Sequence, residues 1–311
     1  MRSPLRATFA ALALTLAAPA CEKGDSSTNP DSAGPADALS DVEDGKTRLK
    51  YASEGFTLLS TIEEKNSVSG GASGSRLVKA DGTIVATPIE GGKLRVEATN
   101  GDAIEYVAEG AFDQEPEEGE EKIDFATKLK GAKSWLVIDR LGEVDVDATK
   151  AIPENVERKK AADERKAKDD DDLAVDDLDF SSVLSMPSLP TTGLIEGEKT
   201  TLPTKEDEFE TGGGDMPVEI DQTYTLKSLV TEGEDQIATV DIEIVTSGAA
   251  ELETGQGSAF VAFDAETFGT LVFNVTKGIP VKWTAENLTE FHVGEKTYEQ
   301  NQETKATFAL Q

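Results

Sequence analysis

The sequence is poor in the side chains that usually carry chemistry. Its 311 residues include one cysteine, Cys21, and one histidine, His292. A lone cysteine cannot form an internal disulfide. One histidine and no second thiol leave a zinc site without its usual ligands. A Ser-His-acid or Cys-His centre would have to use His292, and no nucleophile motif lies near it. His292 falls in the run Phe291-His292-Val293, on the face opposite those apolar neighbours and near Glu290, as a solvated surface histidine would. Phosphate-cradling loops are missing too: there is no Walker loop, and no G-x-G-x-x-G follows a strand. Gly212-Gly213-Gly214 reads as plain loop. Gly71-Ala72-Ser73-Gly74-Ser75 lacks the spacing and the following helix of a nucleophile elbow. Aromatic residues make up only 6%. Even so, Val, Ile, Leu, Phe and Thr recur in alternation, which favours a folded β protein over a disordered chain.

Positive charge is also scarce. Thirty Lys and Arg face 61 Asp and Glu, giving a formal net charge of −31. Such a chain repels phosphate backbones and anionic headgroups, which argues against nucleic-acid binding. Two acidic stretches, 115–121 and 169–179, are dense in hard oxygen ligands. Neither has the alternating Asp positions, central Gly and twelfth-position Glu of a calcium loop, and Asp145-Val146-Asp147 lacks the Gly. Mutually repelling, solvated runs are the simpler reading. No metal and no cofactor are therefore expected. A glycosidase pair needs only two carboxylates about 5–10 Å apart, so a carboxylate-dependent enzyme acting on envelope polysaccharide stays open as a minor reading.

Long apolar runs are absent after residue 20, so no helix is expected to cross a membrane. The one apolar stretch lies at the start. Arg2 and Arg6 precede Phe9-Ala10-Ala11-Leu12-Ala13-Leu14-Thr15-Leu16-Ala17, and Ala18-Pro19-Ala20-Cys21 follows. That is the layout of a secretory signal peptide. Its end, Ala20-Cys21, resembles a bacterial lipoprotein signal, in which the cysteine is acylated and becomes the new N-terminus. Ala18-Pro19-Ala20 also satisfies ordinary signal peptidase, so plain export is the competing reading. The resemblance implies lipid attachment at Cys21 and a bilayer as partner. Several acyl chains hold a protein stably where one holds it marginally. In that family Asp after the cysteine retains the protein at the inner membrane. Glu22 stands there instead and implies the outer membrane, on its periplasmic side or at the cell surface. Removal of residues 1–20 would take away Arg2 and Arg6 and leave a mature chain near −33.

Residues 21–45, rich in Ser, Asp, Gly, Pro and Ala, read as a flexible tether. Residues 46–150 read as an N-terminal β half. Phe56, Leu58, Ser60 and Ile62 fall on one face of a strand, and residues 66–75 read as a turn or loop. Ile84-Val85-Ala86, Leu94/Val96/Ala98 and Ile104/Tyr106/Ala108 are short alternating runs, with Asp81-Gly82, Gly91-Gly92 and Asn100-Gly101 as the hairpin turns between them. Trp135 to Asp139 is a further strand, and Leu141-Gly142 turns into Val144 and Val146 on one face. Residues 151–188 form a charged crossover. Pro153 suits a first helical position. Glu154/Arg158 and Glu164/Lys168 are well-ordered i,i+4 pairs, but no apolar stripe runs along the segment. The spacing of Leu173 to Leu184 is ambiguous, with a short docking helix preferred, and Met186-Pro187-Ser188-Leu189-Pro190 stops any helix.

Residues 189–311 form a C-terminal β half. Tyr224/Leu226, Val240/Ile242/Ile244, Val261/Phe263, Leu271/Phe273/Val275 and Val281/Trp283/Ala285 keep strict period two, and Thr304/Ala306/Phe308/Leu310 close the sheet. Alternation with one polar face means an antiparallel sheet buried on one side. Something must cover that side: the other half's sheet, the Leu173 to Leu184 segment, or a ligand. The fold expected is mainly β. It consists of antiparallel meander sheets, as a curved sheet, half-barrel or two-sheet packing, with one or two short helices mid-chain.

Leu189-Pro190 to Gly197, Tyr224 to Val230, and Phe263-Asp264 to Pro280-Val281-Lys282-Trp283 resemble a group of β-rich exported bacterial lipoproteins without an agreed activity. More distantly they resemble the curved half-barrels that carry lipoproteins or lipids across the periplasm. The second resemblance implies a hydrophobic cavity. Trp135 and Trp283 are the candidates to line one, with plain core packing as the alternative. Together these features point to a non-enzymatic, membrane-tethered envelope protein that binds a partner protein or serves structure, or else carries a lipid or other apolar ligand.

Overall fold

The computed structural model describes residues 42–43, 45–70, 73–113, 124–166, 187–211, 214–254, 257–294 and 296–311. The segment read as a signal peptide, Cys21, nearly all of the segment read as a tether, both acidic stretches and the Leu173 to Leu184 segment lie outside the described residues.

The chain is mainly β. Strands β1 (Val42–Glu43) and β2 (Lys46–Thr47) form a small ladder of their own. Then come β3 (Phe56–Ser69), β4 (Gly74–Pro88), β5 (Leu94–Gly110) and β6 (Lys133–Ile138). Among the described residues there are three α-helices: α1 (Phe125–Leu129) before β6, and α2 (Val146–Lys150) and α3 (Pro153–Lys166) after it. The remaining strands are β7 (Lys199–Thr201), β8 (Lys205–Thr211), β9 (Gly214–Glu232), β10 (Asp235–Thr254), β11 (Gly257–Asn274), β12 (Ile279–Val293) and β13 (Lys296–Leu310).

From β3 onward all strands join one antiparallel sheet of order β6-β5-β4-β3-β13-β12-β11-β10-β9-β7, with β8 also on β9. The path has two ends, so the sheet is open. The last strand pairs with the first long one, Glu299 opposite Ser69 through Leu310 opposite Leu58. The N-terminal and C-terminal halves thus share one continuous hydrogen-bonded sheet.

The sheet curls over itself. Leu94, Val96, Leu136 and Ile138 from one flank share a single core with Tyr224, Leu226 and Val240 from the other. Strands that far apart in sheet order meet only if the sheet bends, as the right-handed twist of long strands favours. A strap closes the seam between the flanks. It is made of residues 45–52 and 187–197, bonded to each other by Thr47 N–H to Leu194 O (2.7 Å) and Leu194 N–H to Thr47 O (2.8 Å). Tyr51 N–H donates to Arg140 O beside β6, Ala52 N–H to Gly278 O at the β11–β12 turn, and Gly197 N–H to Leu226 O on β9. Leu49, Tyr51, Leu189 and Leu194 point inward and are buried. The Tyr51 ring meets Phe273 edge-on at 5.6 Å, and its hydroxyl donates to Pro187 O at 2.8 Å. Gly142 sits at φ +83, where a Cβ would also lie 2.9 Å from the Tyr51 ring.

The β6 edge is capped by polar groups. Arg158 Nη2 donates to Lys133 O (2.7 Å), Asn155 Nδ2 to Trp135 O (3.1 Å), and Val137 N–H to Thr149 Oγ1 (2.8 Å). Arg95 pairs with Glu154 at 2.6 Å. Helix α3 therefore docks without an apolar stripe, by satisfying strand groups that would otherwise invite pairing with another chain.

Several local expectations are corrected. Asp81-Gly82 and Asn100-Gly101 are not hairpin turns. They lie opposite each other inside β4 and β5, with Gly82 paired to Asn100 beside a bulge. Asp81 Oδ1 accepts from Ala103 N–H (3.0 Å) on the neighbouring strand, so the carboxylate serves the bulge. Only Gly91-Gly92, at φ +77 and +71, makes the turn. Asn66–Ser69 continue β3 and Gly74–Ser75 begin β4. Val146 starts helix α2 instead of extending a strand. Asp145 caps that helix by accepting from Ala148 N–H (2.9 Å) and also pairs with Lys93.

Candidate functional site

The inner face changes character along the strands. β3 carries Leu58, Ser60, Ile62, Glu64 and Asn66 inward, and all five are buried. The register places Gln302 opposite Asn66, Asn287 opposite Gln302, and Thr267 opposite Asn287. One step further along lie Gln300, Thr289, Ala265 and Thr246, again in a row across four strands. A polar belt thus crosses the sheet from β3 to β10.

Apolar groups bound it on both sides. On one side is the strap-filled core, ending at Trp283, whose ring lies so close to Gly269 that a Cβ there would sit 2.3 Å from it. On the other is a smaller cluster of Met216, Val218, Ile220, Phe263 and Phe291, which Ala265 joins to the belt's last row. The Phe263 and Phe291 rings stack at 5.9 Å, and Phe209 joins them at 6.1 Å from Phe263.

Part of the belt is satisfied internally. Asn287 Nδ2 donates to Thr267 Oγ1 (2.8 Å), and Thr289 Oγ1 donates to Asn287 Oδ1 (2.7 Å). Arg76, which the register places beside Asn66, gives Nη2 to Glu64 Oε1 at 2.8 Å, and its guanidinium lies over the Phe112 ring at 5.6 Å. The Glu64 side chain is only 3% exposed and that of Arg76 17%. Part of the belt is not satisfied. Glu64 Oε2, Asn66 Oδ1, Gln300 Oε1 and Arg76 Nε are buried and have no hydrogen-bond partner among the described residues. An unmatched buried polar group costs about 1–3 kcal/mol, so four in one region call for water or a ligand. The unmatched set is mostly acceptors, with one donor, and suits a group rich in hydroxyl or amine hydrogens.

The residues singled out from sequence are not gathered here. Trp283 is buried at the boundary of the core. Trp135 lies on the outer face of β6, where its indole donates to Glu97 Oε2 (2.9 Å) and Arg158 covers the ring at 5.3 Å. The Lys133 ammonium and this indole N–H hold Glu97 below the usual carboxylate range. The two tryptophans face opposite sides of the sheet. His292 is on the outer face, with Nδ1 3.2 Å from Thr297 Oγ1 and Nε2 3.2 Å from Glu290. Tyr224, fully buried in the core, has a hydroxyl without a hydrogen-bond partner among the described residues, and burial pushes its pKa up to about 12.

Sequence reasoning missed the belt because hydropathy reads Glu64, Asn66, Asn287 and Gln300 as surface. The usable signal was positional: each stands at inward parity in a strand whose other inward residues are apolar. Among the described residues no group of three or more His, Cys, Asp or Glu side chains is placed to hold a metal ion, and no helix is long and apolar enough to cross a membrane. The chain matches no protein-family model, and no curated protein matches it.

Proposed function

We propose that this chain is a non-enzymatic binding protein of the cell envelope, anchored through acylated Cys21, with the polar belt as its ligand-facing surface. The anchor rests on the lipoprotein-like signal ending at Ala20-Cys21. The binding role rests on one observation: the buried, unmatched polar atoms of Glu64, Asn66, Arg76 and Gln300 within the curled sheet. A polar, donor-bearing ligand fits them better than an apolar one. The apolar part of the interior is already occupied by Leu49, Tyr51, Leu189 and Leu194 of the strap.

Native mass spectrometry of the full chain from envelope extracts tests this reading. The expected result is a small polar adduct that the double variant Asn66→Leu/Gln300→Leu no longer carries. A lipid adduct retained by that variant would favour an apolar carrier, and an adduct-free spectrum would remove the binding role. Metabolic labelling with a fatty-acid analogue tests the anchor: the wild-type chain takes up label and Cys21→Ser does not.

A further inference from the structure

The chemistry of the polar belt narrows what it can take, on the reading of the belt as the ligand-facing surface. Glu64 and Arg76 are its charged members, and they pair with each other at 2.8 Å. The Asn, Gln and Thr side chains around them are neutral, so the belt's charge sums to zero. A ligand with a net charge would be buried there without a counter-charge, which is costly. Free cations, simple amines and phosphate fit poorly for that reason.

Among net-neutral ligands the unmatched atoms choose further. Three are oxygen acceptors on three side chains, Glu64 Oε2, Asn66 Oδ1 and Gln300 Oε1, and one is the donor Arg76 Nε. A zwitterion concentrates its donors in one ammonium and asks a guanidinium fork for its carboxylate. Here the acceptors are spread over β3 and β13, and Arg76 has already given Nη2 to Glu64 Oε1. A hydroxyl both donates and accepts, and several hydroxyls on neighbouring carbons meet spaced acceptors and a single donor together. Successive inward residues on a strand stand about 6.8 Å apart and neighbouring strands about 4.8 Å, so these three acceptors span an area of sugar-ring size. The belt is reachable from inside the curl: Gln302, opposite Asn66, and Thr304, opposite Glu64, are only half-buried, as are Thr267 and Ile244 at the far end of the Asn66 row. Apolar groups frame it. The Trp283 ring lies over Gly269, the next inward residue on β11 after Thr267, and Phe291 is the next inward residue on β12 after Thr289. A few placed polar groups in an apolar frame complement a sugar, with its hydroxyl edge and its apolar C–H faces.

We infer that the belt binds a net-neutral saccharide, whose hydroxyls donate to Glu64 Oε2, Asn66 Oδ1 and Gln300 Oε1 and accept from Arg76 Nε.

Isothermal titration of the full chain with D-glucose, D-galactose and N-acetyl-D-glucosamine tests the class, with glycine as the zwitterionic comparison. At least one sugar is expected to bind, with an affinity that does not change from low to high salt. Mono-deoxy analogues of that sugar are expected to bind wild-type protein about tenfold or more weakly where the missing hydroxyl leaves a buried acceptor unpaired. Asn66→Leu/Gln300→Leu is expected to lose the sugar, while Glu303→Gln on the outer face of β13 binds as wild type. Deoxy analogues that all bind as tightly as the parent sugar, or a double variant that binds it unchanged, overturn the assignment, and the first holds whether or not the double variant folds. Glycine bound with no sugar bound overturns the saccharide and leaves the belt as a ligand-facing surface. With no titrant bound, the mass of the adduct that depends on Asn66 and Gln300 decides: a saccharide mass supports the class, another mass overturns it, and an adduct-free spectrum overturns the binding role as well.

Discussion

At one end of the long strands the inner face carries Leu58, Ile84, Val240 and Leu271 and is sealed by the strap; halfway along the same strands it carries Glu64, Asn66, Thr289 and Gln300. Both regions are buried, but they are buried by different means. The apolar end packs its buried side chains into one cluster, and its burial contributes about 25 cal/mol per Å² removed from water. The belt gains little from burial and loses whatever bonds it fails to make. One region therefore holds the fold together, and the other contributes less to it. The boundary is sharp because the sheet is continuous: neighbouring rows on one strand, Ile62 and Glu64, belong to different regimes.

The widest gap between the regimes is expected from truncation. Tyr51→Ala removes a fully buried ring and its bond to Pro187 O. Urea unfolding should show a loss of about 3–5 kcal/mol. A loss under 1 kcal/mol would mean that the strap is not part of the core. In the belt, Arg76→Met leaves Glu64 buried without its cation and should cost about 3 kcal/mol. The double variant Glu64→Leu/Arg76→Met should return to within about 1 kcal/mol of wild type, because replacing both partners of a buried pair is often neutral. Equal losses in single and double variants would show that the belt is stabilising in the same way as the apolar end.

Two tyrosines sharpen the contrast inside the apolar end. The Tyr51 hydroxyl has a partner, and the Tyr224 hydroxyl has none among the described residues. Tyr51→Phe should cost about 1 kcal/mol, while Tyr224→Phe should be neutral or stabilising. Tyr224 also sets an alkaline limit. Its pKa rises from 10.0 to about 12 in the fold. The unfolded chain therefore loses this proton first, and stability falls as pH rises from 10 towards 12. Burial raises the Tyr51 pKa well above the usual value and acts in the same direction. Tyr224→Phe should flatten that part of a stability-versus-pH curve, and an unchanged slope would place the titration elsewhere. The smallest effect is expected at the capped edge. Asn155→Ala removes bonds to Trp135 O (3.1 Å) and Thr149 O (2.8 Å). It should cost about 1 kcal/mol and speed hydrogen exchange locally in α3 and β6.

Much of the strand pattern was legible because burial on one face writes itself into every second residue. Val240 and Ile242, Leu271 and Phe273, and Trp283 all face the core as their alternation predicts. The long strands hid their own continuity. β4 and β5 run 15 and 17 residues, far beyond the usual five or six, so glycines at a mid-strand bulge imitate turns. Helix α3 offered no apolar stripe because its partner is a row of strand carbonyls. The belt was illegible for a related reason: an inward glutamate and an outward one look alike until the register is known.

Taken alone, the sequence determined the antiparallel β class, the inward face of most strands, the Gly91-Gly92 turn, and an acidic surface around a core with few aromatics. These follow from local sterics and from the period of two that half-buried strands impose. Only the tertiary structure decided that β13 pairs with β3, that residues 45–52 and 187–197 close the seam, and that Glu64, Arg76, Asn66 and Gln300 meet in the interior. These are contacts between residues distant along the chain. They depend on how a long sheet twists and bends, which no short stretch of residues records.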